Sequence, residues 1–155
     1  MRARPSTIYT LGTSTRSLPE FVEILDFYTI LRVVDVRRFP TSRLDHFRKE
    51  NLEGALRARG LEYFYLGHDL GGYRKGGYEA HMASPEFNRG VKALISVARE
   101  RTTVFICAER LPWKCHRRFI AATLEEKGCH VVHPIERDRI WTGKQRGKED
   151  HPPRP

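Results

Sequence analysis

LRVVDVR, residues 31–37, decides the fold. Seven residues are too few for an ordinary helix, and an apolar run rich in valine suits a strand buried on both faces, as in a parallel sheet. The run closes in charge, at Asp35, Arg37 and Arg38. Working outward, TIYTLG (7–12) reads as a preceding strand. Between the two, Ser17-Leu18-Pro19-Glu20 has capping-box spacing and opens a helix with Leu18, Phe21, Val22, Leu25 and Tyr28 on one stripe. Downstream, LEYFYLG (61–67), TTVFICA (102–108) and CHVVHPI (129–135) supply three more strands. Helices separate them. NLEGALRARG (51–60) is stopped by Gly60, and Ser84-Pro85 opens a helix through Phe87, Val91, Leu94, Ile95 and Ala98. CHRRFIAATLEEKG (115–128) buries Phe119, Ile120, Thr123 and Leu124 and ends at Gly128. HDLGGYRKGGYEAHMAS (68–84) has no sustained period and reads as a long surface loop.

This alternation predicts a single α/β domain over residues 1–141, a mainly parallel five-stranded sheet with helices on both faces. Residues 142–155, polar and proline-ended, are expected to be a flexible tail that frays beyond about Trp141. Open sheets of this kind bind ligands beyond the carboxyl ends of their strands. That rule gathers TSTRS (13–17), DVRRFPTSR (35–43), the Gly71-Gly72 loop and CAER (107–110) into one candidate site.

The charge balance suggests a partner. Twenty-eight Lys and Arg against nineteen Asp and Glu leave a formal charge of +9 over 155 residues, the footprint of a protein that meets polyphosphate; a merely soluble basic surface is the alternative. No apolar stretch reaches bilayer-spanning length, and MRARPSTIYTLG lacks the apolar core of a secretion signal, so a cytoplasmic protein without membrane contact is expected. Three cysteines in a domain large enough to form its own core argue against a disulfide scaffold.

CAERLPWKCHRR, residues 107–118, concentrates the chemistry and admits three readings. A nucleophilic thiol is favoured by arginines and a helix start beside Cys115. The spacing fits neither familiar thiolate loop: six residues after Cys107 stands Trp113 rather than the arginine of a phosphatase, and five after it stands Pro112. A metal site could draw on Cys107, Cys115, His116, Cys129, His130 and His133, but adjacent residues on a helix and alternate residues on a strand diverge. In the third reading Arg110, Arg117 and Arg118 meet phosphates while Glu109 or His116 handles a proton, with Asp35 at the mouth of the site. Aromatic residues stand beside cations at Phe39, Phe47, Tyr73 and Trp113, a pattern suited to stacking on bases.

The motifs TLGTSTRSLPEF, VVDVRRFPTSR, LGG and CAERLPWKCHRR, in that order, resemble the bacterial and archaeal family called domain of unknown function 488 (DUF488), over about Ile8 to His133. The matching positions are Gly12, Ser14, Arg16, Ser17, Asp35, Arg37, Pro40, Ser42, Gly71, Gly72, Cys107, Glu109, Cys115, His116 and Arg117; Thr13 stands where the family carries a larger His or Tyr. The resemblance implies a DNA glycosylase acting on a modified pyrimidine such as 5-hydroxymethyluracil. Such an enzyme extrudes its target nucleotide, holds the flipped base and stabilises the charge that develops on the sugar. On this expectation Asp35, Glu109 and His116 are catalytic. Gly12, Ser14, Arg16, Arg37, Ser42, Gly71, Gly72, Cys107, Cys115 and Arg117 hold the substrate, and Arg38, Arg43, Arg74, Arg110 and Arg118 grip the DNA backbone, with no cofactor or metal. A non-catalytic nucleic-acid-binding module and a thiol-dependent sulfur transferase are the alternatives.

Overall fold

The computed structural model describes residues 7–141. In chain order they form β1 (Thr7–Gly12), α1 (Leu18–Phe27), β2 (Arg32–Asp35), α2 (Lys49–Ala58), β3 (Glu62–Tyr65), the single turns α3 (Gly67–Leu70) and α4 (Tyr78–His81), α5 (Pro85–Glu100), β4 (Thr103–Cys107), α6 (Arg117–Glu126), β5 (His130–Glu136) and β6 (Arg139–Trp141). The expected helix starts have their chemical basis. Ser17 Oγ accepts the Glu20 N–H at 3.1 Å and Ser84 Oγ the Phe87 N–H at 3.1 Å, with a proline in each first turn.

The strands lie in the order β3-β2-β4-β1-β5-β6. The first five are parallel, and β6 pairs antiparallel with β5, Trp141 opposite His133. The sheet therefore has six strands rather than the expected five. Arg139 and Ile140 are exposed, so β6 presents no buried apolar pattern that a sequence reading could detect. The segment read as a long loop after β3 likewise contains the two single turns α3 and α4. The tail expected at 142–155 lies outside the described residues.

Strand alternation divides the core in two. Ile8, Val34, Val36, Phe105 and Val131 face α5 and α6, packing with Val91, Leu94, Ile120 and Leu124. Leu11, Val33, Val104 and Ile106 face the other way, toward Phe21, Leu25, Leu52 and Leu56 of α1 and α2. There Phe21 meets Phe47 edge-on at 5.2 Å. The chain thus leaves β1 and β2 over one face and β3 and β4 over the other. β2 and β4 are neighbours whose onward connections part to opposite faces, which opens a crevice at their carboxyl ends.

Candidate active site

That crevice holds a cavity of about 480 Å³, within the range of small-ligand sites. Its walls are Arg37, Arg38 and Phe39 after β2, Gly72, Tyr73 and Tyr78 from the glycine-rich segment, and Cys107, Ala108, Glu109, Lys114, Cys115, His116, Arg118 and Phe119 at and after the end of β4. Three of the four sequence-distant loops expected to converge here do so. Phe39 and Tyr73 stand well exposed with ring centroids 6.2 Å apart. Arg38 lies over the Phe39 ring and donates to the Tyr73 carbonyl at 2.6 Å. Tyr73 itself has φ 60°, an uncommon conformation for a non-glycine residue. Deeper in, Tyr78 stacks on Phe119 at 5.5 Å and leans on His116 at 5.4 Å.

His116 donates Nε2–H to the Val36 carbonyl at 3.1 Å, which leaves Nδ1 as the lone-pair nitrogen of a neutral ring. Burial holds the ring neutral, its pKa depressed to about 4. His116 is thus an acceptor of hydrogen bonds near neutral pH, not a store of protons. Gly72 lies against it: a Cβ there would come 3.2 Å from Nδ1. Among the described residues Glu109 is the one carboxylate in the cavity wall. Its Oε2 accepts the Leu111 N–H at 3.1 Å. Gly12, under this loop, leaves no room for a side chain, because a Cβ would sit 1.9 Å from the Glu109 carbonyl oxygen. Gly12 therefore positions Glu109 without contacting the cavity.

Beneath the cavity lies a sulfur–arginine cluster. Cys107 Sγ is 3.2 Å from Cys115 Sγ. Arg117 approaches Cys115 Sγ with its backbone N–H and with Nε, each at 3.3 Å. It further donates to Thr10 Oγ1 at 2.9 Å and to the carbonyls of Glu109 and Arg110 at 2.7 and 3.2 Å. The Thr10 hydroxyl in turn shares a hydrogen bond with His133 Nδ1 at 2.6 Å. The hydrogen bond from Cys107, together with the Arg117 charge and N–H groups, lowers the Cys115 thiol to about 6 against the opposing effect of burial, whereas burial pushes Cys107 well up. The buried His133 ring, beside Arg117, is depressed to about 3.

Asp35 is not in the cavity. Because Val34 and Val36 face α5 and α6, strand alternation turns Asp35 to the opposite face, where it is 0% exposed. Oδ1 accepts Arg37 Nε at 2.8 Å and the Arg37 N–H at 3.1 Å; Oδ2 accepts Arg37 Nη2 at 2.7 Å and the Tyr63 hydroxyl at 2.5 Å. Every lone pair facing a donor is used, so the expected catalytic carboxylate is a buried structural hub. Arg37, expected to hold substrate, does border the cavity, but it commits its guanidinium to Asp35 and, at 2.6 Å, to the Phe47 carbonyl. Arg16 is also structural, fully buried and bonded to the Gly12 and Ile135 carbonyls at 2.8 and 2.6 Å.

The other expected positions divide by location. Ser14 bonds through its backbone to Ala108, and Ser42 Oγ accepts the Leu44 N–H; neither lines the cavity. Gly71 packs against Arg38, and Arg74 braces the same loop by donating to the Gly71 and His68 carbonyls. Arg118 lies over Phe119 at the cavity edge, Arg110 pairs with Glu136 at 2.5 Å away from it, and Arg43 is exposed on the loop after β2. No group of three or more His, Cys, Asp or Glu converges among the described residues, so the metal reading finds no ligand cluster there. Phe119, read as core, and Tyr78 and Lys114, absent from the expected site, are wall residues.

No curated protein matches the chain. The sequence profile of the family described as "Domain of unknown function DUF488" matches residues 17–124, the span from the first helix cap to α6 that contains every wall of the cavity. The chain belongs to the DUF488 family.

Proposed function

We propose that the protein is a DNA glycosylase that hydrolyses the N-glycosidic bond of a modified pyrimidine, 5-hydroxymethyluracil being the first candidate. The observation that carries the reading is a cavity that combines aromatic rings and cations at its mouth with Glu109 as its carboxylate. Phe39 and Tyr73 offer π-faces to an extruded base, while Arg38, Lys114 and Arg118 offer charge to flanking phosphates. The neutral His116 ring, with Nδ1 as acceptor, suits the N3–H donor edge of a uracil-type base. In the reaction the C1′–N bond breaks with its electron pair passing to the base, and a water oxygen bonds to C1′. Glu109 faces the positive charge that develops on the sugar and takes the proton of the attacking water. Work on chromosomal DNA agrees with a cytoplasmic location, and no described helix is long and apolar enough to cross a membrane.

The test is incubation with duplexes that each carry one modified base, followed by alkaline cleavage and mass analysis of the released base. Strand breaks at the lesion are expected, and Glu109→Gln is expected to lose on the order of 100-fold or more in rate while still binding DNA. Absence of abasic product from every pyrimidine lesion overturns the reading. A non-catalytic nucleic-acid-binding module is the second reading, favoured by the cationic rim. It is distinguished by salt-sensitive binding that leaves the DNA chemically unchanged.

A further inference from the structure

We propose that Cys115 and Cys107 form a redox-active dithiol that exchanges with small anionic disulfides entering the cavity. The geometry assigns the two sulfurs different parts. Both border the cavity, but Cys115 is the more exposed and takes hydrogen bonds from the Arg117 backbone and Nε, whereas Cys107 is buried, 2% exposed. Their separation of 3.2 Å exceeds the roughly 2.05 Å of a disulfide bond by little more than 1 Å. Arg117 supplies an independent argument. It is fully buried, and the acceptors it meets besides Cys115 are a hydroxyl and two carbonyls, all neutral. A buried cation is costly without an anion beside it, and a thiolate at Cys115 is the anion at hand.

The exchange proceeds in two displacements. The Cys115 thiolate attacks one sulfur of the incoming disulfide, forming a mixed disulfide and expelling a thiolate. Cys107 then attacks the Cys115 sulfur, its proton passing to an expelled thiolate, and the second external thiolate leaves as the Cys107–Cys115 bond forms. Two electrons pass from the protein dithiol to the external disulfide. The cations Arg38, Lys114 and Arg118 around the entrance favour disulfides that carry carboxylates. The adjacent thiol also argues against sulfur relay: a persulfide on Cys115 would be attacked by Cys107, releasing hydrogen sulfide and leaving the same internal disulfide. Oxidation removes the anion beside Arg117, so the disulfide is expected to be easily reduced.

The experiment holds the full chain under anaerobic conditions in buffers of graded reduced and oxidised glutathione, then blocks free thiols by alkylation and maps peptides by mass. In the wild type Cys107 and Cys115 are expected to lose alkylation together while Cys129 keeps it, and added reduced glutathione should restore both. Cys107→Ser is expected to stop at a glutathione adduct on Cys115, and Cys115→Ser to form neither product. A wild-type protein that keeps both thiols at every ratio overturns the proposal without recourse to any variant. Adducts confined to Cys129, or oxidation by hydrogen peroxide but not by glutathione disulfide, overturn it equally. The readout needs no DNA, so its failure is distinct from failure of the glycosylase reading.

Discussion

At the scale of single residues, position on a strand decides what a charged group can do. Asp35 ends one apolar strand and Glu109 follows another, yet only Glu109 reaches the cavity; Asp35 is turned by strand parity into a ring of donors. Asp35→Asn should therefore act on stability, removing about 3–5 kcal/mol as the buried Arg37 loses its partner, measured by urea denaturation. Retained stability with selective loss of base excision would return the catalytic part to Asp35. Cys115 is sensitive in another way. Facing Cys107 from β4, Arg117 from α6 and Tyr78 from α4, its thiolate should persist down to a pH of about 6 and be lost below it. Iodoacetamide labelling at pH 7 should consequently run roughly tenfold or more faster at Cys115 than at Cys129, whose thiol burial pushes up, with a rate midpoint near pH 6. Of the cavity residues, Glu109, Cys115 and His116 were legible because they crowd one motif behind an apolar strand. Tyr78 and Phe119 were not. Tyr78 follows glycines without any period, and the face of Phe119 that lines the cavity shares a helix stripe with true core.

At the scale of elements, close approaches hold the site together. Gly12 ends β1 directly beneath the loop that carries Glu109. Gly12→Ala is expected to shift that loop, lowering the rate of base excision tenfold or more while lowering Tm by several degrees; unchanged activity would show that Glu109 tolerates displacement. Caps, apolar stripes and the five parallel strands were legible because each has a local chemical signal: a serine oxygen for an orphan N–H, a proline in the first turn, valines filling both faces. β6 lacked one, since it owes its form to the hydrogen-bonding edge of β5 rather than to burial.

At the scale of the whole molecule, two properties follow from charge. The His116 and His133 rings are kept neutral, with values near 4 and 3. The unfolded chain takes up protons below about pH 6.5 where the folded chain does not, so the stability these rings lend is complete above that pH and is lost as pH falls toward 4. Denaturant titrations from pH 7 to 4 should show this decline, on the order of 3 kcal/mol per ring, reduced in His116→Gln by one ring's share; a flat profile would contradict the burial of the neutral rings. The formal charge of +9 predicts DNA affinity that falls linearly in logarithmic coordinates with salt. Removing Lys114 or Arg118 should reduce that slope by about one each, and an unchanged slope would put DNA elsewhere on the surface.

The strand order also bears on how the chain is made. β1 pairs only with β4 and β5, so Thr7–Gly12 leaves the ribosome long before residue 103 exists to receive it. At about 5–20 residues per second that interval lasts on the order of 5–20 s, during which an apolar segment stays unpaired and open to chaperones or to neighbouring nascent chains. Translation halted between β3 and β4 would release a polypeptide whose opening strand has no place to dock, a natural target for proteolytic disposal.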